Sequence, residues 1–176
     1  HLAARLTVRD LVAFGRYPHS KGRLTAEDAG HIDRAIERLG LQGLETRFLD
    51  ELSGGQRQRA FVAMALSQDT DYLLLDEPLN SLDMKRATEM MALVRHTADT
   101  RGTTVVVVLH DINFASCYAD RVVAMREGRI AFEGTPRELM RKEVLAAIYD
   151  MDIDIHTIGG HLFGAYHLSG RGDRSA

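Results

Sequence analysis

Cysteine is almost absent: Cys117 is the only one among 176 residues, so no internal disulfide can form and a reducing compartment is expected. Cys117 itself reads as a packed helix residue, because nothing around it offers the setting of a nucleophile. No apolar run approaches the roughly 18 residues that a membrane span requires, and no secretory signal pattern opens the chain. Any membrane role is therefore expected to be peripheral. Positive charge is not in excess either. Lys and Arg number 22 against 25 Asp and Glu, a formal net charge of -3, which supplies no basic field and disfavours nucleic acid as a main partner. His156, His161 and His167 sit in a late β-like segment without cysteines nearby, and ligand spacing is missing among the histidines other than His110, so no zinc site is expected. What remains is a globular composition, 45% hydrophobic and 27% charged, able to bury a sizeable core in one unit with a subdomain.

The most informative stretch is Leu73-Leu74-Leu75-Asp76-Glu77-Pro78. Three leucines after Tyr72 read as a buried strand covered on both faces, the usual state of a parallel strand in an α/β domain. Pro78 has no N–H and ends it. Ligands of open α/β sheets gather beyond the carboxyl ends of the strands, where Asp76 and Glu77 can meet a phosphate-bound metal and a water. Successive side chains on a strand diverge, so the two acids are expected to have separate roles rather than to share a proton. A strand that merely ends in a polar turn would show the same residues. Thr103 to Leu109 is a continuous β-branched run and reads as a central strand that ends at His110, with Asp111 capping the next helix. A lone histidine is usually a surface residue; its place at the carboxyl end of a buried strand, like that of Asp76 and Glu77, makes His110 a candidate.

Twenty residues upstream, Leu52-Ser53-Gly54-Gly55-Gln56-Arg57-Gln58-Arg59-Ala60 sets a hydroxyl and two glycines before a helix-favouring run. The exposed N–H groups and positive dipole end of such a helix suit an anion. Ser53 and Gln56 also fit a capping box, which needs no ligand. The box leaves the paired glycines unexplained, and close approach of a phosphate accounts for them.

These residues resemble the ATP-binding subunits of ABC transporters. Leu52 to Gln56 is similar to that family's LSGGQ signature, Tyr72 to Glu77 to its Walker B strand, Ser81-Leu82-Asp83 to its D-loop and His110 to its switch histidine. The likeness extends from about Arg5 to the helix near Leu145. The segment from Arg5 to Pro18 is similar to the ATPases of ferric-siderophore, haem and cobalamin importers. One departure is large: no G-x-x-x-x-G-K-[ST] occurs in the chain. In the family that phosphate loop, the aromatic that stacks on adenine and the Q-loop glutamine precede the signature, so the chain is expected to begin just after the Q-loop.

The resemblance implies an α/β fold, a partial P-loop NTPase-like ABC ATPase domain with a parallel sheet core and a helical subdomain. It implies ATP and Mg2+ as cofactors, a second copy meeting the first head to tail, and transmembrane permease subunits as partners at the cytoplasmic face of the membrane. It assigns Asp76 to the magnesium shell, usually through water, Glu77 to polarising the attacking water, and His110 to holding water and γ-phosphate in line. Ser53, Gly54, Gly55 and Gln56 would touch the γ-phosphate of a nucleotide held by the other subunit, and Asp83 would lie in the loop that crosses the dimer interface. Two other classes compete: a non-transport ABC protein, from which basic stretches or coiled-coil insertions would be expected, and a noncatalytic binding module.

The domain boundaries expected are a helical subdomain over 1–67 ending in the signature helix, the second half of the ATPase core over 68–150, and a C-terminal hairpin and tail over 151–176. Within the first, Thr7 with Asp10 and Thr25 with Asp28 read as helix caps, and Arg16 to Leu24 as an exposed connector able to dock a membrane-spanning partner. Glu127-Gly128 suggests a hairpin, Thr135-Pro136 starts a short helix, and Gly159-Gly160 turns a terminal hairpin that returns over Leu162 to Leu168. Gly170 to Ala176, including Arg171-Gly172-Asp173, reads as a small polar tail.

Overall fold

Thr7 and Thr25 start the first long helices by one device. Each hydroxyl accepts the backbone N–H three residues on, and Asp10 and Asp28 reach back to the threonine N–H, so two otherwise unpaired donors are satisfied at each helix start. In this computed structural model, which describes residues 5–166, the chain divides after Val108 into two compact units. The expectations for His167, Leu168 and the polar tail fall outside the described residues.

The first unit runs α1 (Val8–Phe14), α2 (Tyr17–Ser20), α3 (Ala26–Arg38), a 3-10 turn (Leu49–Glu51), α4 (Gly54–Ser67), β1 (Tyr72–Asp76), α5 (Met84–Arg101) and β2 (Thr104–Val108). Strands β1 and β2 pair in parallel, with Tyr72 opposite Thr104 and Asp76 opposite Val108. Their core combines Val8 and Val12 of α1, Ile32 and Ile36 of α3, Ala60 and Ala63 of α4, Leu73 and Leu75 of β1, and Met90 and Val94 of α5.

Two expectations change here. The leucine run of β1 is covered on one face only: Leu73 and Leu75 are buried while Leu74 is 72% exposed. Side chains alternate on a strand, and the α4 and α5 residues of the core lie on the side of Leu73 and Leu75. Arg16, read as part of an exposed connector, is 6% exposed. Its Nε donates to Asp28 at 2.8 Å and its Nη1 to the carbonyls of Ser67 and Gln68 at 2.9 and 3.2 Å. A buried guanidinium is stable only when paired and hydrogen-bonded, and these acceptors, one at the start of α3 and two at the end of α4, do both. The rest of the connector, Tyr17 to Leu24, is mostly exposed and holds the single turn of α2.

The second unit contains α6 (Ile112–Tyr118), β3 (Val122–Arg126), β4 (Arg129–Gly134), α7 (Pro136–Leu139), α8 (Lys142–Tyr149), β5 (Asp154–Ile158) and β6 (His161–Ala165). Both of its sheets are antiparallel hairpins. Glu127 and Gly128 have φ of 51° and 74°, and Gly159 and Gly160 of 58° and 86°, the paired positive angles that join right-twisted strands through two residues. Pro136 opens α7 after the cap Thr135. Ile112, Leu139, Leu145 and Ile153 form the core, and Asn113 of α6 ties onto β6 by accepting from the Gly164 N–H at 2.7 Å.

Candidate functional site

The site is built at two places in the first unit, the start of α4 and the carboxyl edge of β1. At the first, Ser53 is extended (φ -62°, ψ 160°) and caps α4. Its Oγ accepts the Gln56 N–H at 3.2 Å, and Gln56 Oε1 accepts the Ser53 N–H at 2.9 Å. The capping box thus exists, and it leaves Ser53 and Gly54 exposed at the tip, with the positive end of a 14-residue helix behind them. Gly54 and Gly55 also serve packing inside the chain. A Cβ on Gly54 would stand 3.2 Å from the Cβ of Ser81, and one on Gly55 would stand 3.1 Å from the Ser81 carbonyl oxygen. The glycines therefore have an intrachain cause that their spacing in sequence did not reveal.

At the second place Asp76 closes β1 and is exposed. The next residue, Glu77, leaves the strand conformation altogether, at φ 47°. A left-handed glutamate is uncommon and is held only where its surroundings over-determine it. Here they do. Asn80 N–H donates to the Glu77 carbonyl at 3.2 Å, Gln58 Nε2 to the same oxygen at 3.4 Å, and Asn80 Nδ2 to the Glu77 carboxylate. Pro78, fully buried, anchors the turn. These bonds set Glu77 on a tether to the start of the next loop. Asn80 and Gln58 escaped the sequence argument; the only available signal was an amide three residues after the second acid, a turn spacing.

The loop continues through Ser81 (φ 64°) and Leu82, whose N–H donates to the Leu79 carbonyl at 3.1 Å, to Asp83. Asp83 caps α5 by accepting the Arg86 N–H at 2.8 Å, so it has a structural task as a helix N-cap. Ser53 to Gln56, Asp76, Glu77 and Asp83 thus belong to one compact unit. His110 is the second residue of the second unit, one residue ahead of Asp111, the cap of α6.

No group of three His, Cys, Asp or Glu able to hold a metal occurs among the described residues. Mg2+ bound together with a nucleotide needs as little as one carboxylate, with waters and phosphates completing its shell. Asp76, exposed at a strand end, has the chemistry for that single contact. Cys117 is set apart from catalysis: burial, with a smaller push from Asp111, holds its thiol above the ordinary value, opposite to what a nucleophilic thiolate needs.

The ABC transporter family profile matches residues 1–80. The petrobactin import ATP-binding protein YclP of Bacillus subtilis is 53% identical over 162 residues, covering 92% of this chain and 64% of its own length. A metal-chelate type ABC transporter in an inward-facing conformation superposes with a TM-score of 0.81 at 25% identity, over 94% of this chain and 69% of that one. The dimeric ABC transporter cassette MJ0796 superposes with a TM-score of 0.68 at 29% identity, over 75% of this chain and 57% of that one. The fold is that of the ABC ATPase cassettes, represented in part. The chain is similar to proteins of the ABC transporter family, and its relatives include ATP-binding proteins of petrobactin, iron-hydroxamate and enterobactin import. It spans less than two thirds of the length of these curated relatives.

Proposed function

We propose that this chain is the signature-bearing part of the ATP-hydrolysing subunit of an importer for iron-siderophore-like solutes. The observation that carries the proposal is the edge of β1: an exposed Asp76 followed by a left-handed, tethered Glu77, in the same unit as the capped glycine tip of α4. Phosphoryl transfer asks little covalent chemistry of a protein, so positioning and charge carry the rate. Asp76 contributes to holding Mg2+, which neutralises charge on the phosphates when bound. Glu77 polarises the attacking water, a contribution of about 10² to 10⁴-fold by general-base precedent. His110 holds the water and γ-phosphate in line, and Ser53, Gly54, Gly55 and Gln56 meet the nucleotide of a second copy arranged head to tail, with Asp83 at that interface. Residues 1–67 act as the helical subdomain, 68–150 as core and 151–176 as an appended hairpin and tail.

The names of the relatives support the solute class, and the family resemblance supports the partners. The exposed part of the connector, with Tyr17 and Leu24 more than half exposed, suits contact with a transmembrane permease. No described helix is long and apolar enough to cross a membrane, in keeping with a peripheral place at the cytoplasmic face. The test is Glu77→Gln in the full-length subunit that carries the phosphate loop. ATP binding should persist, turnover should fall at least 10²-fold, and ATP-dependent dimers should accumulate in light scattering. Turnover equal to the parent would refute the assignment.

A further inference from the structure

The start of α4 and the loop after β1 approach one another more closely than capping requires. Carbon–carbon contacts are most favourable at about 3.5–4.0 Å. A Cβ on Gly54 would fall 3.2 Å from the Ser81 Cβ and 3.6 Å from its Oγ, and a Cβ on Gly55 would fall 3.1 Å from the Ser81 carbonyl oxygen and 3.2 Å from Leu82 Cδ2. Neither side is free to retreat. The tip is locked by the reciprocal Ser53–Gln56 bonds, and the loop by the Leu82 N–H to Leu79 carbonyl bond and by Asp83 capping α5.

We propose that Gly54 is a positioning residue: the hydrogen in place of its side chain sets the spacing between the signature tip and the 81–83 loop of the same subunit. For its catalytic consequence the proposal rests on the ATPase reading above; the spacing itself does not. The tip and the loop then shift as one piece, and whatever displaces Ser81 displaces Ser53 and Asp83 with it. The two glycines differ in a way that can be tested. Gly54 faces a side-chain carbon, which Ser81→Gly removes, and the φ of 64° at Ser81 suits glycine. Gly55 faces a backbone oxygen, which no substitution at 81 removes. A role confined to making room for a phosphate predicts no such difference.

The experiment compares the full-length subunit with Gly54→Ala, Ser81→Gly, the double variant, Gly55→Ala and Gly55→Ala with Ser81→Gly, by thermal unfolding and by kcat and KM for ATP. Gly54→Ala should lower both the Tm and kcat, the latter about tenfold, with KM little changed. Ser81→Gly should restore both in the Gly54→Ala background and neither in the Gly55→Ala background. If the double variant stays as slow as Gly54→Ala and the Tm shifts add, or if Gly54→Ala behaves as the parent, the spacing role is overturned while hydrolysis by the parent leaves the ATPase reading intact. If the parent itself hydrolyses no ATP, that reading fails, and the non-additivity of the Tm shifts alone decides the spacing.

Discussion

Two glycine-to-alanine changes in the helical region are predicted to act in opposite directions. At Gly15 an added Cβ would lie 2.1 Å from both the Met64 carbonyl oxygen and Ser67 Oγ, far inside contact distance, against the last turn of α4. That Oγ stands 2.8 Å from the carbonyls of Val12 and Met64, donating to one at a time, and the neighbouring Arg16 donates to the Ser67 carbonyl. The methyl cannot be accommodated by a rotamer change alone, because one of the atoms it strikes is backbone. Overpacking of this kind costs about 1–3 kcal/mol. Displacing the Ser67 hydroxyl removes a hydrogen bond worth about 1 kcal/mol. Together they come to roughly 2–4 kcal/mol, or a fall in Tm of about 5–15 °C for a domain of this size. At Gly30, inside α3, the added Cβ would meet only the far end of Arg34, Nη1 at 3.2 Å, which can swing aside. Alanine there should gain up to about 1 kcal/mol from helix propensity, raising the Tm by about 2–4 °C. Thermal unfolding followed by circular dichroism measures both. Shifts of the same sign, or a Gly15→Ala protein within about 2 °C of the parent, would refute the packing argument.

Acid stability supplies another test. The Thr25 backbone N–H, then the Arg16 guanidinium and the Thr25 hydroxyl, hold the Asp28 carboxyl down at about 2 against an ordinary 3.8. A depressed folded-state value means that this contribution is complete above about pH 4 and is lost as the pH falls towards 2. Asp28→Asn should flatten the dependence of stability on pH in that window, and a slope equal to the parent's would contradict it. In the second unit Leu145 is fully buried, so Leu145→Ala should cost about 2–5 kcal/mol in urea unfolding of that unit, and a loss below about 1 kcal/mol would show that the site collapses around the cavity.

Local sequence alone determined the punctuation of this protein. Caps at Thr7, Thr25, Ser53 and Thr135, the hairpins turning at Glu127-Gly128 and Gly159-Gly160, and the strand stopped by Pro78 all depend on backbone groups within about four residues, a range that spacing in the chain encodes directly. The strand-end carboxylates were legible for the same reason: an apolar run that meets two acids and a proline has few other places to be. Tertiary structure decided what depended on distant partners. Arg16 looked like part of a solvated connector, and it is buried because Asp28 and the carbonyls of Ser67 and Gln68 supply acceptors from other elements. Leu74 looked like core, and it is exposed because the α4 and α5 side chains of that core sit on one side of β1. The tie of Glu77 to Gln58 and the seating of Gly54 and Gly55 on Ser81 and Leu82 could not be read from spacing. Such contacts join residues 12 to 52 positions apart, and only the packed chain brings them within reach.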